Sequence, residues 1–109
     1  TPYADGKFNL ECCLSRDYPF VPPLVRFTTR IHHPNIDEQG RICIEILKEG
    51  TAPGRWKATS NLRMALAQIR QLLAEPNPDD PLVADTAREL KADPALFRRR
   101  ARAMTLQHA

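Results

Sequence analysis

The spacing of apolar residues changes partway along this chain, and that change limits the folds it can adopt. Between Lys7 and Leu14, apolar and polar residues alternate, which predicts a half-buried strand. A second strand is predicted around Val25 and Phe27, after a proline-rich turn, so the two strands form an antiparallel pair. From Leu62 onward, apolar residues recur at helical spacing. Strands followed by helices indicate an α+β domain.

The alternation also predicts which strand residues face the core. On the first strand, one face is expected to be buried and consists of Phe8, Leu10, Cys12 and Leu14. Cys13 is expected to face outward. On the second strand, Val25 and Phe27 are expected to face inward, whereas Arg26 and Thr28 face outward.

Three helices are predicted in the second half of the chain. The first has an apolar stripe made of Leu62, Leu66, Ile69 and Leu73. Asp80 and Pro81 are predicted to cap and begin the second helix, and Asp93 and Pro94 to do the same for the third. The stripes of these two helices consist of Val83, Ala87 and Leu90, and of Phe97, Ala101 and Met104. A solvated face is predicted for Arg98, Arg99, Arg100 and Arg102.

Length and composition exclude several classes of protein. The 109 residues fit one domain, and the net charge of +3 is only mildly basic. No aromatic residues interleave with a basic cluster, so no specific nucleic-acid partner is predicted. No apolar run is long enough to span a membrane, so no membrane partner is predicted either. The three cysteines lack the paired spacing of a disulfide framework, which favours a reducing compartment and a cytoplasmic or nuclear location.

Cys43 lies in the segment "HHPNIDEQGRICIEIL", and its residue type allows three roles. A metal ligand is disfavoured because no second cysteine or histidine pair completes a zinc set, so no metal or cofactor is predicted. A buried packing role is compatible with the apolar neighbours of Cys43. A nucleophilic role is also open, since thiolate is reactive at neutral pH. His33 is the only obvious candidate base nearby.

Three motifs resemble those of the ubiquitin-conjugating enzymes. "HPN" at His33–Asn35 followed by "GRICIEIL" resembles the active-site stretch of that family. "DYPFVPPLVRF" resembles its strand–turn–strand, and "EPNPDDPLVAD" resembles its loop before the next helix. The resemblance extends from Thr1 to near Ala109 and implies a single conjugating core domain over residues 1–109, with an antiparallel meander sheet followed by three helices. It also implies that the family's opening helix and first strand are missing from this chain.

The resemblance implies an activity as well. Cys43 would accept ubiquitin as a thioester from the ubiquitin-activating enzyme and pass it to a protein substrate lysine, with a RING-type ubiquitin ligase bound. No cofactor is implied. Two alternatives remain open: a non-catalytic ubiquitin-binding or scaffold module, and a conjugating enzyme for a ubiquitin-like modifier. The long loop before Trp56 and the ending "TLQHA" most resemble the branch of the family that acts in the Fanconi anaemia DNA-repair pathway.

The resemblance assigns roles around Cys43. Asn35 would stabilise the oxyanion formed when lysine attacks, or would only tie down its own turn. Asp80 would orient or deprotonate the incoming lysine, besides capping a helix. His33 is expected to brace the site, and Asn77 to shape the adjacent loop.

Two further segments match the loops that this family presents to ligases. The first consists of Pro19, Phe20 and Val21, and the second of Lys57, Ala58 and Thr59. The second departs from the family pattern, because Ala58 replaces a usual proline and Ser60 stands at a usually apolar position. These departures put the choice of ligase in doubt, whereas the change to Glu45 from a common aspartate is mild.

Overall fold

The computed structural model describes residues 1–109 and has a pair of antiparallel strands followed by three helices, which confirms the predicted α+β fold. The elements in chain order are β1 (Leu10–Cys13), β2 (Leu24–Phe27), a short 3₁₀ helix (Glu45–Leu47), α1 (Leu62–Ala74), α2 (Ala84–Ala92) and α3 (Pro94–His108). None of these helices is long and apolar enough to cross a membrane.

The two strands pair antiparallel, with Leu10 opposite Phe27 and Cys12 opposite Val25. Val25 and Phe27 are buried and Arg26 is exposed, which confirms the alternation predicted for β2. On the outer face, Arg26 forms an ion pair with Glu11 at 3.2 Å across the two strands.

The burial predicted for the end of β1 was wrong. The strand covers only residues 10–13, and Cys12 is exposed. Leu14 is 56% exposed. Of the alternating apolar residues, Phe8 and Leu10 pack against the core cluster around Phe27, and that cluster does not extend to the end of the strand. Alternation therefore identified the inward face but not how far along the strand the core reaches.

After β2, the chain turns and brings the segment that contains Cys43 back beside the strand. Single antiparallel bridges join Arg26 to Arg41 and Ile36 to Ile42. The turn depends on Gly40, whose φ is +83° and whose carbonyl accepts the N–H of Phe27 at 2.9 Å. A Cβ at this position would collide with the backbone of Phe27, so glycine is required both by the conformation and by the close approach.

Helix α1 begins after Asn61, whose side chain accepts the N–H of Met64 at 2.9 Å. The predicted stripe was wrong at Leu66, which is 43% exposed. The helix is rotated so that Ala65, rather than Leu66, packs against Ile46 and Trp56. The small side chain of Ala65 lets the backbone of α1 lie close to that part of the core.

Asp80 was wrongly predicted to cap the second helix. Helix α2 begins only at Ala84, after Val83, and no side chain caps it. The N–H groups of Leu82 and Val83 instead donate to the carbonyl of Pro34, each at 2.9 Å. These bonds satisfy donors just before the helix and attach this loop to the segment that precedes Cys43.

Helix α3 begins as predicted. Asp93 accepts the N–H of Leu96 at 3.1 Å, and Pro94 occupies the first turn. Phe97 and Ala101 are buried on its inner face. Arg98, Arg99 and Arg100 are exposed, whereas Arg102 is half-buried. The prediction of a largely solvated arginine face is therefore confirmed.

The buried residues form three clusters that share neighbours. The first consists of Val25, Phe27, Ile36 and Ile69, the second of Tyr3, Phe97 and Ala101, and the third of Ile46, Trp56 and Ala65. Phe8, Ile31 and Leu73 pack against both the first and the second cluster. Ile44 and Leu47 join the first cluster to the third. The protein therefore has one continuous core.

Candidate functional site

Cys43 lies at the surface between the bridge at Ile42 and the 3₁₀ helix. It is half-buried, and its backbone N–H donates to the carbonyl of Asn35 at 2.8 Å. Its Sγ lies 3.9 Å from the backbone oxygen of Asp80 and 4.0 Å from the Oδ2 of the same residue. The thiol is therefore accessible and has a carboxylate beside it.

Asn35 joins the segment before Cys43 to the loop that carries Asp80. Its side chain is buried, and its two amide N–H groups donate hydrogen bonds to the carbonyls of Asn77 at 2.9 Å and Asp80 at 3.0 Å. Its Oδ1 accepts the N–H of Asn77 at 2.9 Å. The geometry supports the tying role. The oxyanion role stays a prediction. It requires one of the two hydrogen bonds donated by the Asn35 side chain to break during the reaction.

His33 stabilises the same segment through two hydrogen bonds. Its Nδ1 accepts the N–H of Asn35 at 3.0 Å, so Nε2 carries the proton and donates to the carbonyl of Leu72 at 2.9 Å. Burial lowers the pKa of His33 to about 4, so the ring is neutral at pH 7. Both nitrogens are occupied, so neither is free to take a proton from Cys43.

Two supports of this segment were missed by the sequence reasoning. The hydroxyl of Tyr3 donates to the carbonyl of His32 at 2.6 Å, and the Tyr3 ring lies 5.7 Å from that of His33. The carbonyl of Pro34 accepts two N–H groups from the loop before α2. Every residue has a backbone carbonyl, so residue type does not indicate which carbonyl accepts a hydrogen bond. The sequence therefore held no signal for the role of Pro34. The only signal for Tyr3 was a lone aromatic residue in a polar segment.

Asp80 is exposed, and its carboxylate makes no helix cap. Only its backbone oxygen is held, by the Asn35 amide. The side chain is therefore free to meet a third group that approaches Cys43 from solvent. An amine that approaches from solvent on one side of this pair could contact both the thiol and the carboxylate.

A charged triad consists of Lys48, Glu45 and Arg55, next to Cys43. The Nζ of Lys48 lies 2.9 Å from one Glu45 oxygen, and the Nε of Arg55 lies 3.2 Å from the other. The hydrogen bond to Glu45 raises the pKa of Lys48, and the negative charges of Cys43 and Asp80 raise it further. Lys48 therefore stays cationic near neutral pH.

The two segments with resemblance to ligase-binding loops lie side by side. The indole Nε1 of Trp56 donates to the carbonyl of Pro19 at 2.7 Å, and the Trp56 ring lies 5.8 Å from that of Tyr18. Phe20 is 79% exposed, and Val21 is half-buried. The adjoining second loop is exposed at Lys57, Ala58 and Thr59. These loops form one surface with an unusually exposed aromatic ring at its edge.

The other two cysteines lie on β1, and all three thiols are free. Partial desolvation and the neighbouring Cys13 raise the pKa of Cys12, which reduces its thiolate fraction. No group of three or more histidine, cysteine, aspartate or glutamate side chains is arranged to hold a metal ion.

Sequence comparison identifies relatives of this chain. The family model described as "Ubiquitin-conjugating enzyme" matches residues 1–105. Ubiquitin-conjugating enzyme E2 T of Bos taurus is 49% identical over 109 residues, which are 100% of this chain and 55% of the relative. Ubiquitin-conjugating enzyme E2 N of Macaca fascicularis is 43% identical over 109 residues, which are 100% of this chain and 68% of the relative. The chain thus spans about half the length of the E2 T relatives.

Structural comparison gives the same assignment. The E2 domain of a ubiquitin-conjugating enzyme of Toxoplasma gondii matches with a TM-score of 0.91 and 39% sequence identity, covering 100% of this chain and 72% of that one. Its fold therefore matches the strands and helices described above over the whole chain. Together with the family model, this likeness shows that the chain belongs to the ubiquitin-conjugating enzyme family.

Proposed function

We propose that this chain is the catalytic core of a ubiquitin-conjugating enzyme, with Cys43 as the residue that carries ubiquitin. One observation carries the proposal: the Cys43 thiol lies at the surface, 4.0 Å from the Asp80 carboxylate, and neither nitrogen of the nearby His33 is free to act on it. A hydrolase would need an efficient base to activate water. A carrier must instead keep its acyl group until an amine arrives, and this arrangement suits a carrier.

In the first step, the Cys43 thiolate attacks the thioester carbonyl that joins ubiquitin to the activating enzyme. A new C–S bond forms at Cys43, and the cysteine of the activating enzyme leaves as a thiolate. Thioester exchange consumes no ATP and needs no metal or cofactor.

In the second step, a substrate lysine attacks the carbonyl of the Cys43 thioester. The lysine ammonium first loses one proton, to the Asp80 carboxylate or through it to water, and its neutral nitrogen then attacks. The C–N bond forms, the second proton of the nitrogen passes to the same acceptors, and the C–S bond breaks with its electron pair leaving on the Cys43 sulfur. A lysine with a reference pKa of about 10.4 is mostly charged at neutral pH, so a carboxylate beside the attacking nitrogen has a role to perform. The side-chain amide of Asn35 would stabilise the oxyanion if one of its two hydrogen bonds, to the carbonyl of Asn77 or of Asp80, breaks and frees an N–H group.

The proposed partners are ubiquitin, the activating enzyme, a RING-type ubiquitin ligase and a protein substrate with an accessible lysine. The surface made of Pro19, Phe20 and Val21 together with residues 57–59 would receive the ligase. The exposed ring of Phe20 is suited to fill a pocket on the partner. The three free thiols suit a reducing compartment, so we place the activity in the cytoplasm or the nucleus.

The test is incubation of the full-length protein with an activating enzyme, ATP and, in separate reactions, ubiquitin and several ubiquitin-like modifiers. We expect an adduct with ubiquitin that appears on a non-reducing gel and disappears on treatment with thiol. An adduct formed only with another modifier would show that this modifier, rather than ubiquitin, is the substrate. The absence of an adduct with every modifier would favour a non-catalytic module.

The cysteine that carries the adduct can be identified with matched variants. We expect Cys43→Ala to abolish the adduct and both Cys12→Ala and Cys13→Ala to retain it, because the latter two thiols lie on β1, away from Asp80. The same gel assay measures all three variants. A thiol-sensitive adduct that persists in Cys43→Ala would contradict the assignment.

A further inference from the structure

A polar cluster joins helices α2 and α3 to the segment that contains Asn35. It consists of His32, Glu89 and Arg100. The Nε2 of His32 donates to one carboxylate oxygen of Glu89 at 2.9 Å, and Arg100 donates to the other at 2.7 Å. The side chains of Glu89 and His32 are only 12% and 18% exposed. Because Glu89 is largely shielded from water, these contacts are screened less than those of exposed ion pairs.

The first half of α2 and the loop before it run alongside the segment, in antiparallel order. The contacting pairs, from the middle of α2 toward Cys43, are Glu89 with His32, Val83 with Pro34, and Asp80 with Asn35. Asp80 stands at the end of this row, and its carboxylate lies 4.0 Å from the Cys43 thiol. A displacement of α2 along the segment would therefore move this carboxylate relative to the thiol.

Apolar packing contributes little to the position of α2. The buried residues of this helix are Thr86 and Ala87, whose small side chains bury little apolar area. A cavity of about 110 Å³ separates the segment from the two helices, and residues of both sides line it, among them His33, Thr86 and Met104. No side chain caps the start of α2. The polar contacts therefore have a large share in holding α2 beside the segment.

The segment itself is held independently of α2. The hydroxyl of Tyr3 donates to the carbonyl of His32 at 2.6 Å, and Nε2 of His33 donates to the carbonyl of Leu72 at 2.9 Å. Removal of the Glu89 carboxylate leaves both of these hydrogen bonds in place. The part that would shift is therefore α2 with its loop, rather than the segment.

We propose that Glu89 is a positioning residue for the transfer from Cys43 to lysine, because its contact with His32 fixes α2 and thereby places the Asp80 carboxylate beside the thiol. This inference rests on the proposed function, since it concerns the second step of that reaction. Glu89 acts only through His32 and α2 and exchanges no proton with the reacting groups. The first step uses the Cys43 thiolate and not Asp80, so Glu89 should affect discharge rather than charging.

The test compares charging and discharge of Cys43 in the full-length protein with Glu89→Ala. We expect charging to stay within about twofold of wild type and single-turnover discharge to free lysine to slow about tenfold or more, since a small misplacement of a reacting group is costly. Glu89→Gln should recover most of the discharge rate, because its amide oxygen still accepts the N–H of His32.

Arg88→Ala is the matched control for these variants. Arg88 lies next to Glu89 in sequence, and its ion pair with Asp85 is on the exposed surface of α2. Loss of such a pair has little effect on stability. We expect wild-type charging and discharge in this control, and equal slowing in Arg88→Ala and Glu89→Ala would show that the effect comes from the charge of α2 in general.

A double-mutant cycle tests whether the effect of Glu89 passes through Asp80. If Glu89 acts by placing the Asp80 carboxylate, its removal should matter little once that carboxylate is absent. We expect Glu89→Ala to slow discharge less than about threefold in an Asp80→Asn background, because the two changes act on one interaction. Equal slowing in the wild-type and Asp80→Asn backgrounds would overturn the proposed route.

An NMR measurement on the uncharged protein separates this inference from the proposed function. Both side-chain N–H groups of Asn35 donate across to the loop before α2. We expect their hydrogen exchange to become about tenfold faster or more in Glu89→Ala, since displacement of the loop opens these bonds. The exchange should be unchanged in Arg88→Ala. Unchanged exchange in Glu89→Ala would refute the positioning role.

The remaining outcomes are also decisive. Equal slowing of charging and discharge in Glu89→Ala would indicate general structural damage and overturn the proposal, as would wild-type discharge in that variant. Failure of the wild-type protein to form any adduct on Cys43 would refute the proposed function instead. In that case the exchange of the Asn35 amide alone decides whether Glu89 positions the loop.

Discussion

At the scale of single residues, Asp80 differs most from its sequence-based description. Its carboxylate lies beside Cys43 and caps no helix, so its proposed chemical role and the stability of α2 are separable. We therefore expect Asp80→Asn to leave charging of Cys43 and the free energy of unfolding nearly unchanged. Discharge of the thioester to free lysine should slow by about 10²-fold, the usual effect of losing a positioned base. Single-turnover discharge and urea unfolding measure the two quantities.

Asp79→Asn is the matched control for that experiment. Asp79 lies in the same loop, and its carboxylate pairs with Lys91 at 2.9 Å on an exposed surface, where an ion pair contributes little. Equal discharge rates in wild type and Asp80→Asn would exclude a catalytic role for the carboxylate. Equal slowing in both variants would indicate a general effect of loop charge.

The buried His33 makes stability depend on pH. Its pKa is about 4 in the folded protein because burial disfavours the charged ring, against about 6.5 when unfolded. Between these values the unfolded chain binds more protons, so stability falls as pH falls. From pH 7 to pH 5 the His33 contribution should decrease by about 2 kcal/mol. Urea unfolding at the two pH values measures the change, and His33→Gln should show a shallower dependence.

An NMR titration checks the same prediction without any variant. The ring resonances of His33 should show the neutral form at pH 5, with His108 in the same spectrum for comparison, because His108 is exposed. A His33 ring that becomes charged above pH 6 would contradict the prediction and would imply that the bond from Nδ1 to the Asn35 N–H opens readily.

The residue roles that sequence could predict were those carried by side chains in a short motif. His33, Asn35 and Cys43 stand in one segment, and the resemblance of that segment to the active-site stretch of the family predicted that they would lie together. The capping role of Asp80 was inferred from the following proline, but the carbonyl of Pro34, distant in sequence, accepts the N–H groups ahead of α2. Local propensity cannot anticipate a backbone acceptor supplied by tertiary structure.

At the scale of elements, sequence predicted the existence and order of the strands and helices better than their extent. The ends of β1 and the face of α1 depend on what packs against them. Leu14 and Leu66 fit their periodic patterns yet remain 56% and 43% exposed, since the core does not reach them. Periodicity reports the direction of a side chain, whereas burial also needs a neighbour in space.

The two loops that we propose as the ligase-binding surface are linked by Trp56. Trp56→Phe keeps most of the buried ring but removes the N–H that donates to Pro19 at 2.7 Å. We expect it to lower the free energy of unfolding by about 1 kcal/mol, the usual contribution of one hydrogen bond. Ligase-stimulated discharge should fall while discharge without ligase is retained. Discharge assays with and without a RING-type ligase measure both rates.

Phe20→Ala is the comparison for the loop prediction. Phe20 is 79% exposed, so its loss should reduce ligase stimulation with little effect on stability. If Trp56→Phe leaves ligase stimulation at the wild-type level while Phe20→Ala removes it, the link between the loops would be irrelevant to ligase binding.

At the scale of the whole molecule, the Cys43 site depends on parts of the chain that are far apart in sequence. The carbonyl of Leu72 on α1 holds His33, and the loop before α2 is held by Pro34 and Asn35. Side chains shared between the three clusters make these parts one core. A site built on a continuous core should lose its geometry only when the whole domain unfolds.

Phe97 tests this cooperativity because it lies in a different cluster from Trp56. Phe97 is 2% exposed, so Phe97→Ala should cost about 3–5 kcal/mol. The single tryptophan reports on the Trp56 cluster by fluorescence, and far-UV circular dichroism reports on all helices. We expect both urea midpoints to fall together, and Leu24→Ala, at a position 75% exposed, to move neither. A Trp56 midpoint that stays at its wild-type value while the helical signal unfolds earlier would mean that the α2–α3 region and the Cys43 region unfold independently.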